Sequence, residues 1–164
     1  MTNTILAIDP GSAHSGWCYM RDDRIVESGK DENGLIVALI RISSADTLAI
    51  EMIESMGMPV GREVFETCVW IGRFIESWHY PDQVKLITRR QVKLHLCNSM
   101  QAKDSNIRQA IIDRFPPSGG GTLKQVGTKL LPGPLYGVHG DAWSAVGVAL
   151  TAKETINNGT RTPD

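Results

Sequence analysis

The sequence has little cysteine and no long uncharged apolar run. Its three cysteines, Cys18, Cys68 and Cys97, are widely separated and form no CxxC pair, which argues against a disulfide framework and against a cysteine-rich zinc site. We expect them to be buried free thiols. No stretch approaches the roughly 18 apolar residues of a membrane span, and the N-terminus lacks the basic leader and the small-residue cleavage site of a secretory signal. These absences predict a cytoplasmic protein.

The chain also lacks an excess of charge of either sign. Its formal net charge is −1, which taken alone argues against a polyanionic partner. The charge is unevenly distributed, however, because residues 83–132 contain nine Lys or Arg and only two acidic residues. A basic face attracts polyanions whatever the rest of the surface carries. The sequence therefore allows a nucleic-acid partner.

The order of apolar runs and turns predicts an α/β protein with a mixed sheet, antiparallel leading strands and flanking helices. We expect one domain over residues 1–156 and a flexible tail over 157–164. The predicted strands are 4–9, 14–20, 24–29, 46–51 and 84–88, and the predicted helices are 34–43, 60–78, 89–96, 104–115 and one from about residue 143.

Two segments carry further expectations. In the long helix, Val64, Cys68, Ile71 and Ile75 recur at helical spacing with Phe65 and Phe74 beside them, which predicts the stripe that packs on the sheet. Residues 116–137 show no hydrophobic period and are rich in Gly and Pro. This segment is longer than ordinary loops, so it is either a functional loop or locally disordered.

Three acidic residues stand where an apolar element ends or begins. Asp9 closes the first strand, Glu51 closes the strand 46–51, and Asp141 opens the last helix. A carboxylate in apolar surroundings is costly unless a cation or a hydrogen bond compensates it, and oxygen ligands suit Mg²⁺. Each residue also has an ordinary explanation: Asp9 as a turn residue, Asp141 as a helix N-cap, and Glu51 as a surface ion-pair partner.

Four blocks of sequence, taken together and in order, resemble the RuvC family of Holliday junction resolvases. The run 5–16, ILAIDPGSAHSG, is similar to the opening signature of that family. The run 49–51, AIE, resembles its second acidic strand, Ala102-Lys103 its Ala-Lys element, and the run 140–145, GDAWSA, its C-terminal helix. The segments 57–74 and 127–138 look like a phage-type branch of the family.

This resemblance implies a ribonuclease H-like fold, a homodimer and Mg²⁺-dependent nicking of opposed strands at a four-way DNA junction, with Mn²⁺ expected to substitute. It implies that Asp9 bridges two metal ions, that Glu51 and Asp141 are further metal ligands, and that Lys103 holds a phosphate. Two ions about 3.5–4 Å apart would activate a water and stabilise the leaving oxygen. The location would be the cytoplasm of a bacterium or of a phage-infected host.

One position departs from the family pattern. Many relatives have a fourth acidic or His ligand three residues before the last Asp, where this chain has Val138. His139 could substitute as a ligand or general base if it lies in the loop ahead of the helix. Otherwise it is a packed or solvent-facing histidine.

We therefore expect a structure-selective DNA endonuclease that has no nucleotide cofactor and no membrane partner. The alternatives are a general nuclease for flaps, forks or RNA–DNA hybrids, and a junction-binding protein without turnover. The basic segment should contact backbone phosphates, and Tyr136 could stack on an exposed base. The predicted DNA-binding residues are Lys85, Arg89, Arg90, Lys93, Lys103, Arg108, Lys124, Lys129 and Tyr136.

Overall fold

The computed structural model describes residues 2–159, which fold around a five-stranded mixed sheet. The strand order is β3-β2-β1-β4-β5, with β2 antiparallel to both β1 and β3, and with β4 parallel to β1 and β5. The strands are β1 Thr4–Asp9, β2 His14–Arg21, β3 Arg24–Glu32, β4 Thr47–Met52 and β5 Lys85–Thr88. The helices are α1 Asn33–Ile42, α2 Arg62–Ser77, α3 Arg89–Cys97, α4 Asp104–Asp113 and α5 Ala142–Gly159, with a short 3-10 helix at Pro81–Gln83. The predicted α/β architecture with antiparallel leading strands is confirmed.

The sheet separates two apolar cores because strand side chains alternate between its faces. Ala7 of β1 and Ala49 of β4 face the core formed with α3, α4 and α5. Their neighbours Ile8 and Ile50 face the second core, with α1 and α2. By this alternation, the residue that follows Ile8 and the residue that follows Ile50 both lie on the α5 side.

The β2–β3 hairpin contains a register shift that the sequence does not announce. At the tight turn, Arg21 pairs with Arg24. An irregularity at Tyr19/Met20 then shifts the register by one residue for the rest of the hairpin. The shift places Lys30 opposite Gly16. β3 also extends to Glu32, beyond its predicted end at residue 29.

The predicted stripe of α2 is partly wrong. The helix buries Thr67, Ile71 and Phe74, whereas Cys68 is exposed. The face of α2 that packs toward the sheet is therefore rotated from the predicted stripe, with Phe74 rather than Cys68 in the apolar core beneath the helix. The expectation that all cysteines are buried is accordingly wrong for Cys68, while Cys18 is fully buried.

Residues 116–137 form an ordered loop, so the disordered alternative is wrong. Backbone hydrogen bonds join Gly119 N–H to the Lys124 carbonyl (2.8 Å) and Leu135 N–H to the Gln125 carbonyl (2.9 Å). Gly127 pairs with Pro132 at a left-handed φ of 78°, where a side chain would also collide with backbone.

The C-terminal helix α5 continues to Gly159, so residues 157–159 of the predicted tail are helical. The remainder of that predicted tail, 160–164, lies outside the described residues. Within residues 2–159, no helix is long and apolar enough to cross a membrane.

Candidate metal centre

Asp9 ends β1 and Glu51 is the penultimate residue of its parallel neighbour β4, so both lie at the same edge of the sheet. The pairing of Ile8 with Ile50 puts the two carboxylates side by side, and strand alternation directs both toward α5. Neighbouring strands lie about 4.8 Å apart. Two of the three predicted acidic residues are therefore adjacent, and both are partly buried.

Asp141 reaches this edge because Gly16 has no side chain. Gly16 pairs with Asp9 across β1 and β2, and its Cα lies directly under the residue that precedes α5. A Cβ at position 16 would stand 2.5 Å from the Asp141 carbonyl oxygen and 2.9 Å from the Asp141 Cβ. The start of α5 thus fits against β2 only where a glycine is present.

The Asp9 carboxylate is not needed for the turn that follows β1. That turn is held by Ser15 and Asn33: Gly11 N–H donates to Ser15 Oγ, Ser15 Oγ–H donates to Asn33 Oδ1, and Asn33 Nδ2 donates to the Gly11 carbonyl. The ordinary explanation of Asp9 as a turn-forming residue therefore loses its basis.

Lys30 and Ser144 join the site, although neither follows from the sequence pattern. Lys30 Nζ lies 2.6 Å from Asp141 Oδ2, and Ser144 hydrogen-bonds the Asp9 side chain. Ser144 lies in the first turn of α5, three residues after Asp141 in the GDAWSA run. That helical spacing could have predicted that Ser144 lies near the carboxylates. For Lys30 no such signal exists, because its position depends on the register shift in the hairpin.

Arg89, predicted as a DNA contact, lies inside the site. Its guanidinium is 3.7 Å from Glu51 Oε2, too far for a hydrogen bond, and it forms a close ion pair with Asp104. Glu51 Oε2 is buried and has no hydrogen-bond partner. An unpaired buried carboxylate oxygen is costly, which favours a ligand at this position over the surface ion pair that is the alternative explanation of Glu51.

The pKa of Asp9 is raised to about 7. Burial is the largest cause, and repulsion from Glu51 and Asp141 adds to it, against the lowering effects of Arg89 and of the Ser144 hydrogen bond. Burial also raises the pKa of Glu51. The charges of Glu51 and Asp141 both act on Asp9, and a cation beside Asp9 would offset this repulsion.

The donor set fits a hard divalent cation. The three carboxylates, one of which has an oxygen without a hydrogen-bond partner, are the kind of ligand that Mg²⁺ prefers. Within residues 2–159, however, no three acidic, His or Cys side chains are gathered closely enough to form a metal-binding group. Lys30 forms an ion pair with Asp141, and Arg89 lies against Glu51 and Asp104.

Several predicted DNA-binding residues surround this edge. Arg89 separates two clefts of about 390 and 430 Å³. The first also contains Asp141, Ser144 and Arg108, whose guanidinium stacks 4.6 Å over the Trp143 ring. The second is lined by residues that include Glu51, Arg90 and Lys93.

Lys103 is exposed at the start of α4, next to Asp104. Its backbone N–H donates to Asn106 Oδ1, so its ammonium group is free of the helix cap.

Other predicted residues lie apart from the carboxylates. Tyr136 lines a cleft together with Asp23 and Arg24 of the β2–β3 turn, at the end of the sheet opposite to Asp9. Lys124 and Lys129 belong to the same ordered loop as Tyr136. Lys85 begins β5, three residues before the end of that strand that lies nearest to the carboxylates. The structure thus brings together only part of the predicted DNA-binding set.

His139 is exposed in the turn before α5, where its carbonyl accepts a hydrogen bond from Ala142 N–H. No hydrogen bond or ion pair described for residues 2–159 joins its side chain to Asp9, Glu51 or Asp141. A role as ligand or general base stays a prediction.

Comparison with solved structures identifies the fold. The chain is similar to Thermus thermophilus RuvC in complex with a Holliday junction substrate, with a TM-score of 0.68, 15% identity and coverage of 99% of both chains. It is also similar to a second Thermus thermophilus RuvC structure, with a TM-score of 0.64, 17% identity and full coverage of both chains. No family model matches the chain, and no curated protein sequence matches it. The likeness shows that the chain has the ribonuclease H-like fold of these RuvC structures.

Proposed function

We propose that this chain is a Mg²⁺-dependent endonuclease that nicks four-way DNA junctions, as a member of a phage-type branch of the RuvC family. The observation that carries the proposal is the position of Asp9, Glu51 and Asp141 in one electrostatic environment, beside basic clefts, in a RuvC-like fold. One of the two similar structures is described as a complex with a Holliday junction substrate, which favours a branched-DNA partner here.

Asp9, Glu51 and Asp141 would hold the metal ions, with Asp9 between the other two. When bound, Mg²⁺ would supply charge stabilisation for the phosphate and for an attacking water. The protein itself would position the DNA: Arg108 offers positive charge in the cleft that contains Asp141, Arg90 and Lys93 do so on the Glu51 side, and Lys103 is exposed at the start of α4. Ser144 would hold Asp9 by its hydrogen bond, and the Arg89 charge lies near Glu51.

A panel of labelled substrates tests this function. Four-way junctions, forks, flaps, RNA–DNA hybrids and linear duplexes are incubated with the protein, with Mg²⁺ and with EDTA. We expect paired nicks in the four-way junction and only with the metal. Preferential cleavage of flaps, forks or hybrids would replace the junction assignment by a general nuclease. Tight junction binding without cleavage in Mg²⁺ or Mn²⁺ would indicate a silent binding protein.

Lys103→Ala is expected to weaken junction binding and nicking together. Because one phosphate contact is lost, the log–log salt slope of binding should fall by about 0.9, and affinity at low salt by about fivefold or more. Arg41→Ala removes an exposed positive charge from α1, on the opposite face of the sheet, and is the matched control. Unchanged binding and rate for Lys103→Ala would show that this lysine holds no phosphate.

A homodimer would provide the two active sites that paired nicking needs. The outer surface of α2 supports it: Phe65 and Val69, one turn apart, are 62% and 57% exposed although both are large and apolar. Cys68 is exposed on the same helix. Since Ile71 and Phe74 already supply the core contact, this outer surface is available to a second copy of the chain.

Val69→Glu is expected to convert the dimer into a monomer, because a charge would be buried in the apolar contact. Sedimentation at micromolar concentration measures the change. Val26→Glu, on the edge strand β3 at a comparable exposure of 53%, is the control and should leave the dimer intact. A wild-type protein that sediments as a monomer would contradict the dimer and with it the paired nicks.

A further inference from the structure

Lys30 occupies a position at the candidate metal centre that the proposed function does not explain. It projects from the edge strand β3, opposite Gly16, and its ammonium lies 2.6 Å from Asp141 Oδ2. The Asp9 charge also acts on it. The side chains of Lys30 and Asp141 are 51% and 50% exposed, so the pair is accessible from solvent.

An ammonium in this position competes with a metal ion. It donates to a carboxylate oxygen that a divalent cation would need, and its own charge repels that cation. Its flexible four-carbon stem also allows it to leave, unlike a rigid guanidinium fork. Within residues 2–159 no three acidic, His or Cys side chains form a metal-binding group, and Asp141 is the candidate ligand that the lysine engages.

We propose that Lys30 is an internal counter-ion of the metal centre, which neutralises Asp141 in the metal-free protein and is displaced when a divalent cation binds. This inference rests on the proposed function and extends it. Once displaced, the ammonium is free at the same edge of the sheet to contact a DNA phosphate. Metal binding and DNA binding are thereby coupled through one side chain.

Calorimetric titration of the DNA-free protein with Mn²⁺ tests the inference. Lys30→Gln should lower the Kd for the metal about five- to tenfold, because one positive charge near a divalent ion is removed. Lys30→Arg keeps the charge and should not tighten metal binding, because the guanidinium competes with the cation at least as well as the ammonium. Lys153→Gln is the matched control, since it breaks a lysine–aspartate ion pair of the same kind, with Asp23, at the opposite end of the sheet.

Junction affinity provides the second measurement. In EDTA, Lys30→Gln should bind the junction within about twofold of wild type, because Asp141 engages the lysine there. In Ca²⁺, which takes the same oxygen ligands, the variant should lose most of the metal-induced gain in affinity.

The outcomes separate the two levels of inference. Unchanged or weaker metal binding by Lys30→Gln overturns the counter-ion role, as does equal tightening in Lys153→Gln, or the absence of metal binding in both wild type and Lys30→Gln. If the wild type nicks no branched DNA, the proposed function fails, while the Mn²⁺ titration still decides the role of Lys30.

Discussion

Replacing Asp9 by Asn is expected to reduce Mg²⁺-dependent junction nicking by about a thousandfold or more while preserving junction binding. Asn keeps the size of the side chain but removes the charge that lies between Glu51 and Asp141. A metal ion contributes several kcal/mol of transition-state stabilisation, which corresponds to at least about three orders of magnitude in rate. Binding should be equal or tighter, because repulsion between the acidic residue and DNA phosphates is relieved. Gel-shift and single-turnover cleavage assays measure the two effects.

A stability measurement distinguishes this loss from unfolding. The pKa of Asp9 is about 7 in the folded protein, against an ordinary value of 3.8. The folded state therefore binds the proton more tightly than the unfolded state, and the ionisation of Asp9 lowers stability as the pH rises from about 4 to 7. Without metal, Asp9→Asn should lack this decline and be at least as stable as wild type at pH 8.

A matched substitution completes the test. Asp82→Asn makes the same chemical change at an exposed residue of the 3-10 helix that precedes β5, at the end of the sheet away from the carboxylates. It should retain full nicking activity. Cleavage by Asp9→Asn at a rate near that of wild type would remove Asp9, and with it the proposed chemistry, from the site.

The strands and the neighbouring acidic residues could be predicted from the sequence because they depend on short-range patterns. Buried runs that end on a carboxylate place Asp9 and Glu51 at the same edge as soon as their strands are parallel neighbours. The environment of Asp141 could not be predicted in this way. The environment of Asp141 includes Lys30, and Lys30 lies opposite Gly16 only because of the irregularity at Tyr19/Met20. Without that irregularity, the register of the tight turn would place Gly29 opposite Gly16.

Helix faces and the basic surface were harder to predict for a different reason. In α2, apolar residues occur around more than half of the helix, so periodicity alone could not decide between Cys68 and Phe74 as the inward residue; packing decided it. The basic segment is continuous in sequence but not in space. Arg89 binds acidic residues of the site, whereas Lys124 lies in the distant loop.

Replacing Gly16 by Ala is expected to damage the site as severely as any substitution outside the carboxylates. The added Cβ would stand 2.5 Å from the carbonyl oxygen and 2.7 Å from the carbonyl carbon of Asp141. Both are backbone atoms, so the start of α5 must move. Overpacking of this kind costs about 1–3 kcal/mol of stability, and a displacement of about 1 Å in an active site can cost about a hundredfold in rate.

The decisive comparison is with Gly34→Ala, because a Cβ at position 34 of α1 would meet no atom within 4 Å. Gly34→Ala should keep wild-type activity and gain slightly in stability through its helix propensity. Gly16→Ala should instead lose nicking and Mn²⁺ affinity together while staying folded at low temperature, since Asp141 moves away from Asp9. If Gly16→Ala bound Mn²⁺ and nicked junctions like wild type, the close approach of Gly16 to the start of α5 would not be what positions Asp141. The glycine that ends the 5–16 signature would then need a different physical explanation.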